Sequence, residues 1–342
     1  MNKFSIKTTT ISTNIVNPLS ISFDMGIVFN SSESRALSYA KILGDKSISV
    51  VLLVNFNGGD NELKRNNLKK NNVELKRISA HYEEIQLNDV FDFQNNLDKI
   101  AGWIMHSRFK KDVFRVFMDI TGVPLIYSVA LTKFLFRLFP IPTVSLLNVS
   151  GRYAEKGEQQ FSEGEQFDIY IPGYYGNPDH SKQLHYIFLL GYDGDRSLNI
   201  YRNNLPDKTS VIVPSPGYES GNEDNTIRNN RDFFIETGFY FKNGKLPKSY
   251  NRNKNLYCID ISDISAVMKQ VEDIYEEDKE NYEIRLVPLG PKPHAIGAAL
   301  AAVFNNEISI IYQVPQKYFM SEIPCGDNMW LYDIEMINAD SV

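Results

Sequence analysis

Runs such as SISVVLLVNF and YIFLLGY are apolar at nearly every position. A strand with one wet face alternates apolar and polar residues. A strand that is apolar throughout is buried on both faces, which is the habit of parallel sheets covered by helices. Such runs recur at VFRVFMDI, TVSLLNV, TSVIVPS, NLYCIDI, EIRLVPL and ISIIYQV. Between them lie segments of helical spacing. DFQNNLDKIAGWIMHSRF brings Leu97, Ile100, Ala101 and Ile104 to one face, and PLIYSVALTKFLFRLF and KPHAIGAALAAVF are apolar almost all round. Residues 61–72 suit a polar helix, and VELKRIS a short strand. Strand and helix alternating in this way predict an α/β fold with mostly parallel sheets. The 342 residues, 43% of them hydrophobic, are enough for two domains of average size.

The rhythm breaks once, over 151–185, a stretch rich in Gly, Glu, Tyr and Pro that reads as a connector with a short hairpin around FDIYIP. The elements on its two sides repeat. Placing Arg35 on Arg196 sets Ser34-Arg35-Ala36-Leu37 over Asp195-Arg196-Ser197-Leu198, and Val50-Val51-Leu52 over Val211-Ile212-Val213. Placing Gly122 on Gly290 sets the helix that starts at Pro124 over the one that starts at Lys292, without a gap. The expectation is two tandem Rossmann-like units related by internal duplication. Residues 1–155 form the first, 156–185 the connector and 186–342 the second.

In such sheets ligands bind beyond the carboxyl ends of the strands, where helix N-termini offer unbonded N–H groups and partial positive charge. Anions, phosphate above all, favour that place. The first strand-to-helix junction of each copy reads SSESRAL and GYDGDRSL. Arg35 and Arg196 stand at the same point near the helix start, and a guanidinium suits phosphate. Surface arginines paired with Glu33 or Asp195 would look the same in sequence. Gly191 permits close backbone approach, and Asp193 ends a strand where it could hold a hydroxyl. The late junctions read MDITGVPLIYS and VPLGPKPHAIG. Asp119, Thr121 and Gly122 end a strand in the first copy, with the Thr121 hydroxyl expected at the mouth. In the second copy the two prolines stiffen the turn, Gly290 lets the backbone come close, and Lys292 and His294 follow. This stretch predicts a rigid anion-binding corner, and a plain turn with a solvated lysine and a capping histidine is the alternative. The RNN runs at Arg65-Asn66-Asn67 and Arg228-Asn229-Asn230 read as solvated helix faces.

The formal net charge is −6, so no extended nucleic-acid surface is expected. Two cysteines make neither a disulfide framework nor a metal pattern. The N-terminal stretch has no signal-peptide core, and no run approaches a membrane span. A cytoplasmic protein is expected. The five histidines lack HxH or HExxH spacing, so no metal is expected. No nucleophile elbow, phosphate loop or dinucleotide fingerprint is present, so no cofactor and no catalytic residue is assigned.

The DITG turn at Asp119-Ile120-Thr121-Gly122, with the apolar helix that follows, resembles the strand-to-helix junction of CRISPR-associated Rossmann-fold (CARF) sensor domains. Two such units in one chain resemble the SAVED domains of bacterial anti-phage signalling. The first copy lacks the basic residue often found near that turn, and the second carries Lys292 but no hydroxyl at the Thr121 position. The resemblance implies a sensor of a nucleotide or cyclic oligonucleotide. Thr121, Gly122, Gly290 and Lys292 would be its contacts, and an effector or ATPase protein its partner. Two other readings fit the same residues. One is an enzyme acting on a nucleotide or sugar phosphate. The other is a non-catalytic subunit of a defence complex.

Overall fold

The apolar runs form parallel strands. The structure, a computed structural model, describes residues 3–16, 18–57, 61–110, 115–138, 141–152, 162–164, 167–219, 221–239, 255–318 and 322–337. The chain divides into two units, Met1–Arg152 with Met320–Val342, and Tyr153–Phe319.

The first unit opens with β1 (Lys3–Ser12) and β2 (Phe23–Phe29). A single 3-10 turn (Ser34–Leu37) and the short α1 (Tyr39–Ile42) lead to β3 (Ile48–Asn57). Then come α2 (Glu62–Ile78), β4 (Ser79–Asp89), α3 (Phe93–Lys110), β5 (Arg115–Asp119), α4 (Leu125–Lys133) and β6 (Thr143–Gly151). The second unit holds β7 (Ser162–Glu163), β8 (Phe167–Tyr170), β9 (Gln183–Leu189), α5 (Gly194–Asn204) and β10 (Lys208–Pro214). It continues with α6 (Asn222–Asn229), α7 (Arg231–Glu236), β11 (Leu256–Ile259), α8 (Ile264–Asp278) and β12 (Tyr282–Pro288). It closes with α9 (Lys292–Val303), β13 (Ile308–Val314) and β14 (Lys317–Tyr318). A last strand, β15 (Cys325–Ile337), returns to the first unit.

Both sheets have one topology. In the first unit β4-β3-β2-β5-β6 run parallel, and β15 and β1 extend the β6 edge antiparallel. In the second, β11-β10-β9-β12-β13 run parallel, and β8 lies antiparallel on β13. Numbered within its own unit, each parallel set has the order 3-2-1-4-5, the Rossmann-like arrangement with its switch point between strands one and four. Each sheet has its own core, one around Phe23, Tyr39, Val51 and Phe117, the other around Phe188, Val213, Phe233 and Val287. Each fully buried side chain of this size contributes about 1.5–3 kcal/mol.

The boundaries differ from the sequence expectation. The stretch 156–185 holds β8, which is the edge strand of the second sheet and pairs with β13 instead of folding on itself as a hairpin. The C-terminal residues belong to the first unit and not the second, because β15 pairs with β6 on one side and β1 on the other. VELKRI is helical. Asn61 caps the helix start, and Lys64, Asn67, Asn71, Leu75 and Ile78 fall on one buried face at helical spacing through it. Among the described residues no helix is long and apolar enough to cross a membrane.

Candidate functional site

Of the candidate residues of the second unit, Gly191 and Gly290 meet at its switch point, whereas Arg196 turns to β13 and His294 to the end of β11. The tails of β9 and β12 leave the sheet backbone against backbone, joined where Leu289 N donates to Leu189 O at 2.9 Å. A Cβ at Gly191 would fall on the carbonyl oxygen of Leu289, and one at Gly290 on that of Leu190. Each glycine therefore exists for the other strand's tail. The close approach expected for a ligand is made by the chain itself. This brings together the starts of α5 and α9, which follow those two tails.

Neither start is closed by a capping side chain. Nor are those of α4, α6 and α7, whereas α2 and α8 are capped. Asn61 Oδ1 accepts from Lys64 N at 2.8 Å in α2, and Asp263 Oδ1 from Ala266 N at 2.9 Å in α8. The α5 start carries an exposed carboxylate, Asp195, in its first turn, whereas α9 has none and begins with the half-buried Lys292. The α9 start is thus the more electropositive of the two.

The two arginines are equivalent in place and in use, and both are more than nine-tenths buried. Arg35 Nη1 donates to Val149 O at 2.5 Å, and its Nε lies 2.5 Å from Glu33. Arg196 Nη2 donates to Gln313 O, its guanidinium sits 4.7 Å over the Tyr312 ring, and Nη1 lies 3.7 Å from Asp193. Val149 and Gln313 lie on the fifth strands, β6 and β13. Each arginine ties the first helical turn to the fifth strand, so neither is a surface residue. The guanidinium that the sequence offered to phosphate serves the backbone. Asp193 in turn accepts from Ser162 Oγ at 2.9 Å, and Tyr312 and Tyr318 share a hydroxyl contact of 2.7 Å.

In the first unit the DITG turn also closes on itself. Asp119 Oδ1 accepts from Thr121 N at 2.8 Å, and Thr121 Oγ1 accepts from Val149 N at 3.1 Å. Thr121 is fully buried, so its hydroxyl faces β6 and not the mouth. A Cβ on Gly122 would come within 2.7 Å of Ser31 Cβ and 2.9 Å of Ala36 Cβ. The 3-10 turn beside it is held by Glu322, whose carboxylate accepts from Ser34 N at 3.1 Å and from the Ser34 hydroxyl.

His294 is fully buried, with Nε2 2.9 Å from Asp260 O. Burial pushes its pKa down to about 4, so the ring is neutral at physiological pH and adds no positive charge beside Lys292.

The sequence reading missed the RNN runs. Arg65, Asn66 and Arg228 are exposed as expected, but the last asparagine of each run is buried. Asn67 Nδ2 donates to Ser31 O at 3.0 Å, Asn229 Nδ2 to Tyr192 O at 3.1 Å, and Asn230 Nδ2 to Gly191 O at 2.7 Å. In both units the helix after strand two holds the loop after strand one by an amide. The same three residues recurring in both copies was the available signal. Among the described residues no group of three His, Cys, Asp or Glu side chains is placed to hold a metal.

No protein-family model matches the chain, and no curated protein does. Solved structures do match, and one of them is similar over most of the chain. It is the crystal structure of a functionally unknown protein, PA1789, from Pseudomonas aeruginosa PAO1, at 10% identity and a TM-score of 0.25, covering 86% of this chain and 93% of that one.

Proposed function

We propose that the second unit binds a small anionic ligand, a nucleotide or cyclic oligonucleotide, at the C-terminal edge of its sheet. One observation carries the reading. The Gly191–Gly290 crossing joins two helix starts that no side chain caps, α5 and α9, at the switch point. The phosphate belongs on the first turn of α9 beside Lys292, where backbone N–H groups and a cation act together. Asp195, exposed on the α5 start, suits the hydroxyl of a sugar. Arg35, Arg196, Thr121 and His294 are left out of the contact set, because each is buried on a bond within the protein. A cation on one helix start and a carboxylate on the other favour an anion that also bears hydroxyl groups over bare phosphate. A role in anti-phage signalling, through an effector or ATPase partner, follows only if that ligand is a signalling nucleotide.

The test is a thermal-shift titration of the full chain and of Lys292→Ala against nucleoside mono-, di- and triphosphates and cyclic di- and trinucleotides. A ligand at 100 times its dissociation constant stabilises the native state by about 2.7 kcal/mol. The expected result is a rise in Tm for one class, reduced in the variant. A flat response to the whole panel, or an equal rise in Lys292→Ala, overturns the reading.

A further inference from the structure

At the opposite, N-terminal edge of the second sheet, four polar side chains converge in the interior. Ser210 Oγ lies 2.8 Å from His185 Nε2, and His185 Nδ1 lies 2.8 Å from Asp278 Oδ2. Lys208 Nζ donates to both Asp278 oxygens, at 2.7 and 2.9 Å. The order Ser–His–Asp is that of a nucleophilic relay. Yet His185 and Ser210 are buried in neighbouring strands, β9 and β10, at 0% and 1% exposure. A nucleophile that no substrate can reach does not catalyse acyl transfer. The cluster does something mechanical instead. Asp278 is the last residue of α8, and through it the end of the helix is pinned to the starts of β9 and β10.

We propose that Ser210, His185, Asp278 and Lys208 form an acid-operated latch that holds the C-terminal end of α8 against the sheet at neutral pH and releases it in mild acid. Asp278 stands 2.8 Å from Nδ1 off the line of a hydrogen bond, so its negative charge, rather than a directed bond, favours the proton on that nitrogen, and Nε2 then accepts from the Ser210 hydroxyl. Lys208 already balances the one carboxylate. A second proton on the ring would therefore set two cations against a single anion away from water. Burial is the main cause that drives the His185 pKa down to about 4, with Asp278 opposing and Lys208 assisting. Of the neighbouring carboxylates, Asp207 accepts from Leu184 N at 2.8 Å, one residue before His185, and Glu277 acts on Tyr257 together with Asp278. Tyr282 of β12 presents its ring at 5.8 Å from the imidazole, and Tyr257 of β11 lies within electrostatic reach of Asp278. The released state lets His185 take a proton at its ordinary value near 6.5. Acid therefore favours release. The latch does not depend on the anion corner, though the two share a neighbour. α8 packs on α9 closely enough that a Cβ on Gly297 would sit 2.7 Å from Ile264 O.

Hydrogen exchange of the full chain between pH 7 and 4.5, corrected for intrinsic rates, tests this. Exchange in 264–278 and at the starts of β9 and β10 should rise on the order of fiftyfold by linkage at one histidine, with β3 and β5 of the first unit as the unmoved reference. Lys208→Met removes the second cation, so the acid response should shrink, and His185→Gln should reduce it to the part that the buried His294 contributes. A flat α8, a rise shared with β3 and β5, or a response unchanged in His185→Gln overturns the latch. If the variants do not fold, imidazole nitrogen NMR of the wild type decides. A neutral His185 carrying its proton on Nδ1 at pH 5.5 supports it, and a charged ring at that pH overturns it.

Discussion

The two units share a strand order and differ in what fills the switch point. In the first, the chain closes its own corner. Glu322 holds the first turn, Thr121 and Arg35 take the N–H and C=O of Val149, and Gly122 packs on Ser31 and Ala36. In the second, Arg196 makes the matching tie to Gln313, and α9 starts without a side-chain cap as α4 does, but with a cation, Lys292, at its first position. The tether from first turn to fifth strand is architecture common to both. The uncapped α9 start with a cation is particular to one. In both units of this chain the first-turn arginine serves the fold, and what each corner does beyond that depends on the groups around it.

The sharpest way to break this comparison is to fill the glycines. In the second unit a Cβ meets main chain, at Gly290 the carbonyl of Leu190 and at Gly194 that of Asn229. Neither can retreat without moving a strand tail or a helix. Gly290→Ala and Gly194→Ala should each cost more than about 3 kcal/mol, above the usual range for overpacking. Gly122→Ala meets the Cβ atoms of Ser31 and Ala36, fixed to their own backbone but farther off at 2.7 and 2.9 Å, and should cost about 2–3 kcal/mol. Both tryptophans, Trp103 and Trp330, lie in the first unit, so their fluorescence follows that unit while circular dichroism follows both. In urea, the second-unit variants should separate the two signals, with the tryptophan transition staying in place. Coincident transitions would show that the units do not unfold separately.

Acid should separate them too. The second unit buries His294 and His185 as neutral rings, whereas His81 and His106 of the first are exposed. Native His294 takes a proton only as the pH falls to about 4, an unfolded histidine near 6.5. Between those values the unfolded chain binds the extra proton, so stability falls as pH falls, by up to about 3 kcal/mol for this one group. In an acid titration the dichroism should change before tryptophan emission does. The reverse order would sink the idea that the second unit is the acid-sensitive one.

The smallest effect concerns the amides. Asn230 both donates to Gly191 O and accepts from Ser197 Oγ, while Asn67 makes the single anchor to Ser31 O. Asn230→Ala should cost about 2 kcal/mol and Asn67→Ala about 1 kcal/mol. Equal losses in chemical denaturation would mean that the loop after strand one is held alike in both units.

The legibility of these features in sequence follows from how each is stabilised. Strands β3, β9, β10, β12 and β13 are buried on both faces, so their apolar runs announced them. β4 is mostly exposed, and β1 and β15 take their places by pairing with residues far off in sequence, for which composition has no sign. The positions of Arg35, Arg196, Gly122, Gly191 and Gly290 could be read from the internal repeat, but their use could not. A guanidinium that bonds a distant carbonyl and one that awaits a phosphate are the same letter. Asn67 and Asn230 failed for the same reason, since a buried amide that satisfies a main-chain oxygen is indistinguishable by hydropathy from a wet one.

The position of β15 sets an order on the ribosome. The second unit is one continuous stretch, whereas β1, made first, meets its only strand partner among the described residues once residues 325–337 have emerged. The unit that begins the chain is therefore the last to be finished. A nascent or prematurely ended polypeptide would carry an intact second unit beside a first sheet with an open β6 edge and an unpaired N-terminal strand, the kind of exposed edge that chaperones bind and that seeds association.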